Sequence, residues 1–328
     1  MISLKFKKLI SIFKKKGGFE LVKQYKKSGV LLFALLEGMI LGKSRTSLEI
    51  LRLAIENKTQ QKLSHRYKSE ILELKNKYTK FENATPNTMG TSNIIWFCWL
   101  QGVQNAPEIV QLCYRKLKNA SNGHQIVTIT SDNFQDYVKI PEYILIKWHN
   151  KQISNTHFSD ILRAGLLAKH GGIWVDATVL VTTSKLPLYF DDNLFFYQSL
   201  KPGKDGKALF ISSWVLCSHQ NNPIILMTRD LLYSYWKKNN FLQDYFLFHQ
   251  FFCIACKVFP KTYSNVLPID NALPHKLLLS LFEPYNKKKF DLYLSESPIH
   301  KLSYKFKEES ISKNNTMYIK LLKELRKK

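Results

Sequence analysis

Residues 159–178, SDILRAGLLAKHGGIWVDAT, contain the pattern that decides the fold of this chain. The first half has the apolar spacing of a helix, and Ser159 is predicted to cap it, because a serine oxygen accepts a backbone N–H at a helix start. Gly171 and Gly172 predict the end of the helix, since glycine adopts the left-handed conformation beyond the last turn. The apolar run from Ile173 to Val181 predicts a buried strand directly after the helix.

Three of the charged side chains in this stretch, Asp160, Arg163 and Asp176, suggest a site. Asp160 and Arg163 are three residues apart and therefore share one helix face. Asp176 interrupts the apolar strand, and a buried carboxylate needs a metal, a cation or hydrogen bonds. Thr178 lies two positions further along and faces the same side of a strand. This layout suits a sugar-nucleotide site. The alternatives are an ion pair on a solvated helix and a structural acid paired inside the fold.

Strands and helices alternate from residue 92 onward. Buried strands are predicted before the quoted stretch at 94–100, 125–129 and 145–148. Helices are predicted at 109–119, 223–236, 243–258 and 318–328. Because alternating strands and helices form a mainly parallel sheet, we expect ligands at the carboxyl ends of the strands.

The first 85 residues are predicted to be almost wholly helical. Residues 1–28 contain nine lysines and one acid, and Ile2, Phe6, Leu9 and Phe13 recur among them at helical spacing. Such a pattern indicates a helix lying on an anionic membrane surface. The alternative is a helix whose apolar face packs on its own protein.

A Pro/Asn cluster at residues 83–87 separates these helices from the α/β region. It predicts a boundary between a basic helical extension over residues 1–88 and an α/β domain over residues 89–328. No secretory signal is recognisable, and the apolar run at 30–42 is shorter than the about 20 residues that span a bilayer. We therefore expect a cytoplasmic protein, peripheral on the inner face of the cell membrane.

The charge of the chain narrows the class of partner. The formal net charge is +24, and 42 of the 49 basic residues are lysines. Sequence-specific readers of DNA use the planar fork of arginine, which is scarce here, so nucleic acid is not the expected partner. A lysine excess suits anionic lipid, although a lysine-biased composition also explains part of it. The odd number of cysteines, five, indicates no disulfide framework and fits a reducing compartment.

Five segments, in order over residues 90–305, resemble the capsular polysaccharide synthesis group of glycosyltransferases and the related glycosyltransferase family 32. The central segment is the Ser-Asp-x-x-Arg…Gly-Gly-x-Trp-x-Asp pattern at 159–176. The others are 94–102 with 106–107, 129–133 with 140–141, 244–249 and 297–302. The resemblance implies a GT-A-type α/β fold. It also implies transfer of a sugar from a nucleotide-sugar donor, in particular a UDP-sugar, to a lipid-linked or growing cell-surface polysaccharide, with retention of configuration.

The resemblance implies roles for individual residues as well. Asp160 and Arg163 are expected to contact the donor. Arg163, Asp176 and Asp244 are the expected catalytic residues, although a carboxylate at the start of a helix also suits the helix dipole. Of two tryptophans predicted to face opposite sides of one strand, one belongs to the core. The other, by resemblance Trp99, is expected to bind the nucleobase together with Gln101.

A divalent cation is the expected cofactor. Similar enzymes carry Asp-x-Asp after the two glycines and bind Mn²⁺ or Mg²⁺, whereas this chain has Thr178 in the second position. His300 is expected to complete a metal site with Asp176 and Thr178, and Lys301 to contact the donor diphosphate. The rival interpretation is a membrane-docked binding or scaffold protein with a degenerate sugar-nucleotide site.

Overall fold

The strands of the protein form one five-stranded sheet and one separate pair, in a computed structural model that describes residues 18–83, 92–200 and 209–326. The strands in these ranges are β1 (Ile94–Cys98), β2 (Gln125–Ile129), β3 (Gly172–Val175), β4 (Val179–Val181), β5 (Leu194–Gln198), β6 (Ile211–Ser218) and β7 (Ile299–Lys301). The main sheet has the order β2-β1-β3-β6-β5, and β4 pairs with β7.

Helices cover both faces of the sheet. Four of those in the described ranges precede it: α1 (Gly18–Ser28), α2 (Leu31–Leu41), α3 (Arg45–Arg66) and α4 (Lys68–Glu82). The others are α5 (Glu108–Ala120), α6 (Phe134–Tyr137), α7 (Glu142–His149), α8 (Asn155–His170), α9 (Pro223–Lys238), α10 (Leu247–Val258), α11 (Pro260–Ser264), α12 (Ala272–Leu279), α13 (Lys287–Glu296), α14 (Glu308–Ile311) and α15 (Met317–Arg326). The four helices predicted after residue 92 are confirmed, with α10 beginning four residues later than expected.

The sheet runs mostly in one direction. β1 pairs in parallel with β2 and with β3, whereas β6 lies antiparallel between β3 and β5. Four of the five strands therefore point the same way. This confirms the predicted α/β class and agrees with the GT-A-type domain expected from the resemblance.

The two crossovers around β1 lie on opposite faces of the sheet. The helix between β1 and β2, α5, packs into one apolar core together with Ile95 and Phe97. The helix before β3, α8, packs into the other core together with Trp96 and Cys98. Alternate residues of β1 thus serve opposite faces, as the strand period of two requires. Because the chain leaves β1 on one face and enters β3 on the other, the carboxyl ends of these two strands are the place where sheets of this kind have their ligand-binding crevice.

Gly171 and Gly172 end α8 and allow β3 to begin immediately, as predicted. Gly171 has a φ of +67° and its N–H donates to Leu167 O. Gly172 has a φ of +97°, and a Cβ there would lie 2.5 Å from the carbonyl oxygen of Ile94. Only glycine lets β3 approach β1 in this conformation.

Two local predictions around this motif were wrong. The N-cap of α8 is Ser154, whose side chain accepts from His157 N, so Ser159 lies inside the helix. The predicted strand from Ile173 to Val181 breaks after Val175, because Asp176 begins a turn in which Val179 N–H donates to Asp176 O. Asp176 therefore lies just beyond the carboxyl end of β3, which is where ligands of such sheets bind.

The predicted strand at 145–148 was also wrong, since these residues belong to helix α7. A short apolar run fits a buried helix as well as a strand, and periodicity alone does not separate the two. Pro141 directly precedes this helix and fits a helix start.

The helices before the sheet are built into the fold to different degrees. Leu63 of α3, Tyr67 between α3 and α4, and Leu74 and Tyr78 of α4 belong to the same core as one face of the sheet. In contrast, Val30, Ala34 and Ile55 form a small core of their own. The predicted boundary near residue 88 and the amphipathic segment up to residue 17 lie outside the described residues.

Candidate functional site

A continuous series of charged side chains crosses the carboxyl end of β3. Arg163 Nη1 donates to Asp160 Oδ1 at 3.0 Å, and Arg163 Nη2 donates to Asp176 Oδ1 at 2.8 Å. On the other side, Lys301 Nζ donates to Asp176 Oδ2 at 3.0 Å and to Thr178 Oγ1 at 2.7 Å. We call Asp160, Arg163, Asp176 and Lys301 the ion chain. The structure thus brings together five of the residues predicted for the site.

The ion chain is buried at one end and open at the other. Arg163 exposes only 4% of its side chain, whereas Asp176 exposes 26% and Lys301 exposes 19%. Asp160 and Arg163 are therefore not the ion pair on a solvated helix that was the alternative interpretation. A ligand approaching the crevice meets Asp176 and Lys301 first.

The Arg163 guanidinium is held in place by two aromatic rings. The guanidinium carbon, Cζ, lies 4.9 Å from the centre of the Trp174 ring and 5.3 Å from the centre of the Phe248 ring. Trp174 Nε1 also donates to Asp176 Oδ1 at 2.9 Å. A planar guanidinium can stack on both rings while donating to two carboxylates, which the point charge of a lysine cannot do.

His157 supports the buried end, and sequence reasoning missed it. Trp236 Nε1 donates to His157 Nε2 at 2.9 Å. Because an indole N–H only donates, that ring nitrogen accepts, and the neutral imidazole carries its proton on Nδ1. This nitrogen faces Asp160 Oδ2 at 3.5 Å. The available signal was spacing, since His157 and Asp160 are three apart on α8 and share a face.

The neighbouring cations keep Asp176 ionised. Burial by itself raises the pKa of the Asp176 carboxyl, but Lys301 and Arg163, assisted by the Trp174 indole, hold the pKa below its ordinary value. The carboxylate therefore stays negative at neutral pH and keeps both cations oriented toward it.

Tyr245 and His249 lie beside the ion chain, although sequence reasoning chose another residue of their segment. Burial raises the pKa of Tyr245, and the charges of Asp160 and Asp176 raise it further, so the phenol keeps its proton. Tyr245 is nevertheless 61% exposed and available to a ligand. Burial lowers the pKa of His249 to about 4, so this imidazole is neutral.

Asp244, predicted as a catalytic residue, makes its described contacts elsewhere. It precedes α10, where its carboxylate accepts from Phe246 N at 2.9 Å, Gln24 Nε2 at 3.3 Å and Gln250 Nε2 at 3.4 Å. Burial raises its pKa. These contacts join α1 to the start of α10 and give Asp244 a structural role, while the adjacent Tyr245 lies beside the ion chain.

Trp99 and Gln101, predicted to bind the nucleobase, follow β1 and are not part of a strand. Trp99 packs edge-on against Tyr304 at 5.2 Å, and Gln101 is exposed. Because β1 and β3 are parallel, Trp99 and Asp176 follow strand ends at the same edge of the sheet. Trp96 is the tryptophan that belongs to the core, where its Nε1 donates to Gly171 O.

His300 points away from the predicted metal position. It neighbours Lys301 on β7, and successive strand residues face opposite sides. Lys301 reaches Asp176, whereas His300 is fully buried and neither ring nitrogen makes a hydrogen bond of good geometry. Burial lowers its pKa to about 4, with only the backbone of Ser297 acting in the other direction.

The residues predicted to hold a divalent cation do not fit one as they are arranged. In the part of the chain that the structure describes, no three His, Cys, Asp or Glu side chains are grouped to bind a metal. Asp176 and Thr178 are joined by the Lys301 ammonium instead. A cation between these two residues would lie against a like charge.

A separate cleft opens at the opposite edge of the sheet. It has a volume of about 390 Å³ and is lined by the start of β3 and by His124 and Asp191, which form an ion pair at 3.2 Å when the histidine is protonated. None of the ion-chain residues lines this cleft.

Comparison with known proteins identifies the family. The sequence profile described as capsular polysaccharide synthesis protein matches residues 46–321. The chain belongs to the capsular polysaccharide synthesis protein family. The profile extends from the start of α3 to the middle of α15 and includes every residue of the ion chain. A search of curated proteins finds no match.

Among solved structures, the chain is similar to the PaToxG glycosyltransferase. The two are 19% identical over 63% of this chain and 78% of that chain, with a TM-score of 0.35.

Replacing His300 should make folding less sensitive to acid. A histidine with a folded pKa of about 4 and an ordinary value of 6.5 resists protonation in the folded state. The unfolded chain then binds more protons, so stability is lost as the pH falls from about 6.5 to about 4. We expect His300→Leu to remove about 2 kcal/mol of the loss in unfolding free energy between pH 7 and pH 5, measured by denaturant titration.

An equal acid sensitivity of His300→Leu and the unmodified protein would contradict the buried, unpaired state of His300.

Proposed function

We propose that this member of the family is a glycosyltransferase. It moves a sugar from a nucleotide-sugar donor, in particular a UDP-sugar, to a lipid-linked or growing capsular polysaccharide, with retention of configuration. One observation carries the proposal. Residues 160, 163, 176 and 301, far apart in sequence, meet as the ion chain at the carboxyl ends of the strands, where the sheet forms its crevice.

The open end of the ion chain suits a diphosphate. An ammonium has three N–H donors, and Lys301 uses two of them on Asp176 and Thr178. The third can donate to a phosphate oxygen of the donor. As the sugar–phosphate bond breaks, negative charge grows on the leaving diphosphate, and a cation already held in place stabilises it without rearranging.

Two aromatic side chains can position the rest of the donor. Tyr245 offers an exposed phenol beside the ion chain, where it can donate to a sugar hydroxyl. Trp99 lies at the same edge of the sheet, and its indole N–H makes no hydrogen bond in the described part of the chain. We propose that Trp99 and Gln101 contact the nucleobase.

Loss of the Asp176 charge should abolish most donor turnover. Asp176→Asn keeps the size of the side chain but releases Lys301 and Arg163 from their shared anion. We expect turnover to fall at least about a hundredfold, the scale of losing one strong electrostatic contact in an active site. The measurement is nucleotide release from a panel of nucleotide sugars, with folding checked by circular dichroism.

The matched control is Asp191→Asn, the same chemical change in the cleft at the opposite edge of the sheet. It should retain turnover. A well-folded Asp176→Asn protein with near-normal turnover would exclude the ion chain as the site. If the unmodified protein releases nucleotide from no donor in the panel, the chain is a binding or scaffold protein instead.

We also propose that the enzyme works on an anionic membrane surface, where a lipid-linked acceptor would be found. Five large apolar side chains form one face of α2 and are 50–78% exposed: Leu32, Leu35, Leu36, Met39 and Ile40. Their spacing places them in one stripe along the helix. An exposed apolar stripe of this kind marks an interaction surface.

Basic residues around α2 favour lipid as the partner of this stripe. Lys43 and Arg45 follow the helix, Lys58 lies 5.7 Å from the Phe33 ring, and Lys62 donates to Gly29 O. Apolar side chains rimmed by lysines suit insertion at the headgroup level of an anionic bilayer. Within the described residues, no helix is both long and apolar enough to cross a membrane.

Polar substitutions in the stripe should weaken membrane binding. We expect Leu32→Ser/Met39→Ser/Ile40→Ser to reduce co-sedimentation with anionic vesicles at least about tenfold, because each substitution removes a buried apolar side chain from the bound state. Leu188→Ser/Leu279→Ser changes two equally exposed leucines elsewhere and is the control. Unchanged sedimentation, or a shift only in oligomeric state, would mean that protein covers the stripe.

A further inference from the structure

Thr178 stands where a metal-binding Asp-x-Asp motif would have its second carboxylate. The Lys301 side chain fills the space beside it. Lys301 Nζ lies 3.0 Å from Asp176 Oδ2 and 2.7 Å from Thr178 Oγ1. Both distances are those of good hydrogen bonds. Two of the three residues expected to bind a divalent cation, Asp176 and Thr178, thus form the binding site of an ammonium.

The backbone fixes Lys301 at this position. β7 pairs antiparallel with β4, and the register places Lys301 opposite Val179, next to Thr178. Leu302 N–H donates to Thr178 O at 2.9 Å on the far side of the lysine. Because its backbone is paired on both sides and its side chain is 19% exposed, Lys301 is a built part of the site and not a surface lysine that happens to reach it.

The charges around Asp176 leave no anion for a further cation. Its Oδ1 already accepts from Arg163 and Trp174, and its Oδ2 accepts from Lys301. Thr178 contributes a neutral hydroxyl where an aspartate would contribute a charge. A divalent cation would have to displace the Lys301 ammonium from Asp176. It would then lie close to two positive charges, those of Arg163 and Lys301, with one carboxylate to offset them.

We propose that the Lys301 ammonium takes the place of the divalent cation, so that this enzyme binds the diphosphate of its donor without a metal. The inference rests on the proposed function, since it assigns the charge that neutralises the leaving diphosphate to a side chain of the protein. Thr178 and Lys301 then form a functional pair: the threonine leaves room for the lysine and anchors it without adding a charge that would attract a metal.

The test measures UDP binding to the full chain by isothermal titration calorimetry, once in EDTA and once in Mn²⁺. We expect the two dissociation constants to agree within about twofold. Lys301→Ala should weaken binding at least about tenfold in EDTA, the scale of one lost charge-assisted contact. Lys305→Ala, the same change at an exposed lysine four residues away, is the control and should bind as the unmodified protein does.

A second variant creates the metal site that the structure lacks. Thr178→Asp/Lys301→Ala supplies two carboxylates and removes the ammonium, so UDP binding should become dependent on Mn²⁺. Electron paramagnetic resonance should then detect bound Mn²⁺ in this variant and none in the unmodified protein without nucleotide. This readout does not depend on catalysis.

Two outcomes would overturn the inference. In the first, the unmodified protein loses UDP binding in EDTA and regains it with Mn²⁺. That result would mean that a metal, and not Lys301, neutralises the diphosphate. A protein that binds neither UDP nor GDP, ADP or CDP, with or without Mn²⁺, refutes the proposed function itself and the inference with it. The first outcome leaves the donor site intact, so the two failures are distinguishable.

Discussion

The site depends on one carboxylate shared by two cations. Asp176 lies one residue beyond the end of β3 and binds Arg163 through one oxygen and Lys301 through the other. Through these two contacts it joins helix α8 to strand β7, elements separated by more than a hundred residues of sequence. A buried ionic group of this kind persists only when its partners are precisely held, because an uncompensated charge at this depth is costly.

The fold supplies that support from both faces of the sheet. On one face, Trp174 and Phe248 enclose the guanidinium, and Trp236 orients His157 toward Asp160. On the other face, β4 turns away from the main sheet directly after Asp176 and pairs with β7, which carries Lys301. The break after Val175 is therefore part of the site, because it lets β4 leave the main sheet and pair with the strand that carries Lys301.

Local patterns in the sequence were sufficient to predict much of this arrangement. The helix, the glycine pair and the strand that follows could be read from residues 159–178, because capping, glycine conformation and apolar periodicity act within a few residues. Asp160, Arg163, Asp176, Thr178 and Lys301 were all expected at one site, and the structure places them in contact. Trp96 belongs to the core as expected, whereas Trp99 follows the end of β1, so the strand period that separated the two does not apply to it.

What could not be predicted depends on long-range pairing. Whether His300 or Lys301 faces Asp176 is set by the register of β7 against β4, and a shift of one residue would exchange them. Similarly, the segment 244–249 was recognised, but its helix begins only at Leu247, and Tyr245, not Asp244, lies beside the ion chain. The strand expected at 145–148 became a helix because a short apolar run is compatible with either form.

The most direct measurement is a crystal structure of the protein with a non-hydrolysable nucleotide sugar. We expect the diphosphate to lie at the carboxyl ends of β1 and β3, with a phosphate oxygen within hydrogen-bond distance of Lys301 Nζ and the sugar beside Tyr245. A diphosphate bound in the cleft of His124 and Asp191, or bound without contact to the ion chain, would contradict it.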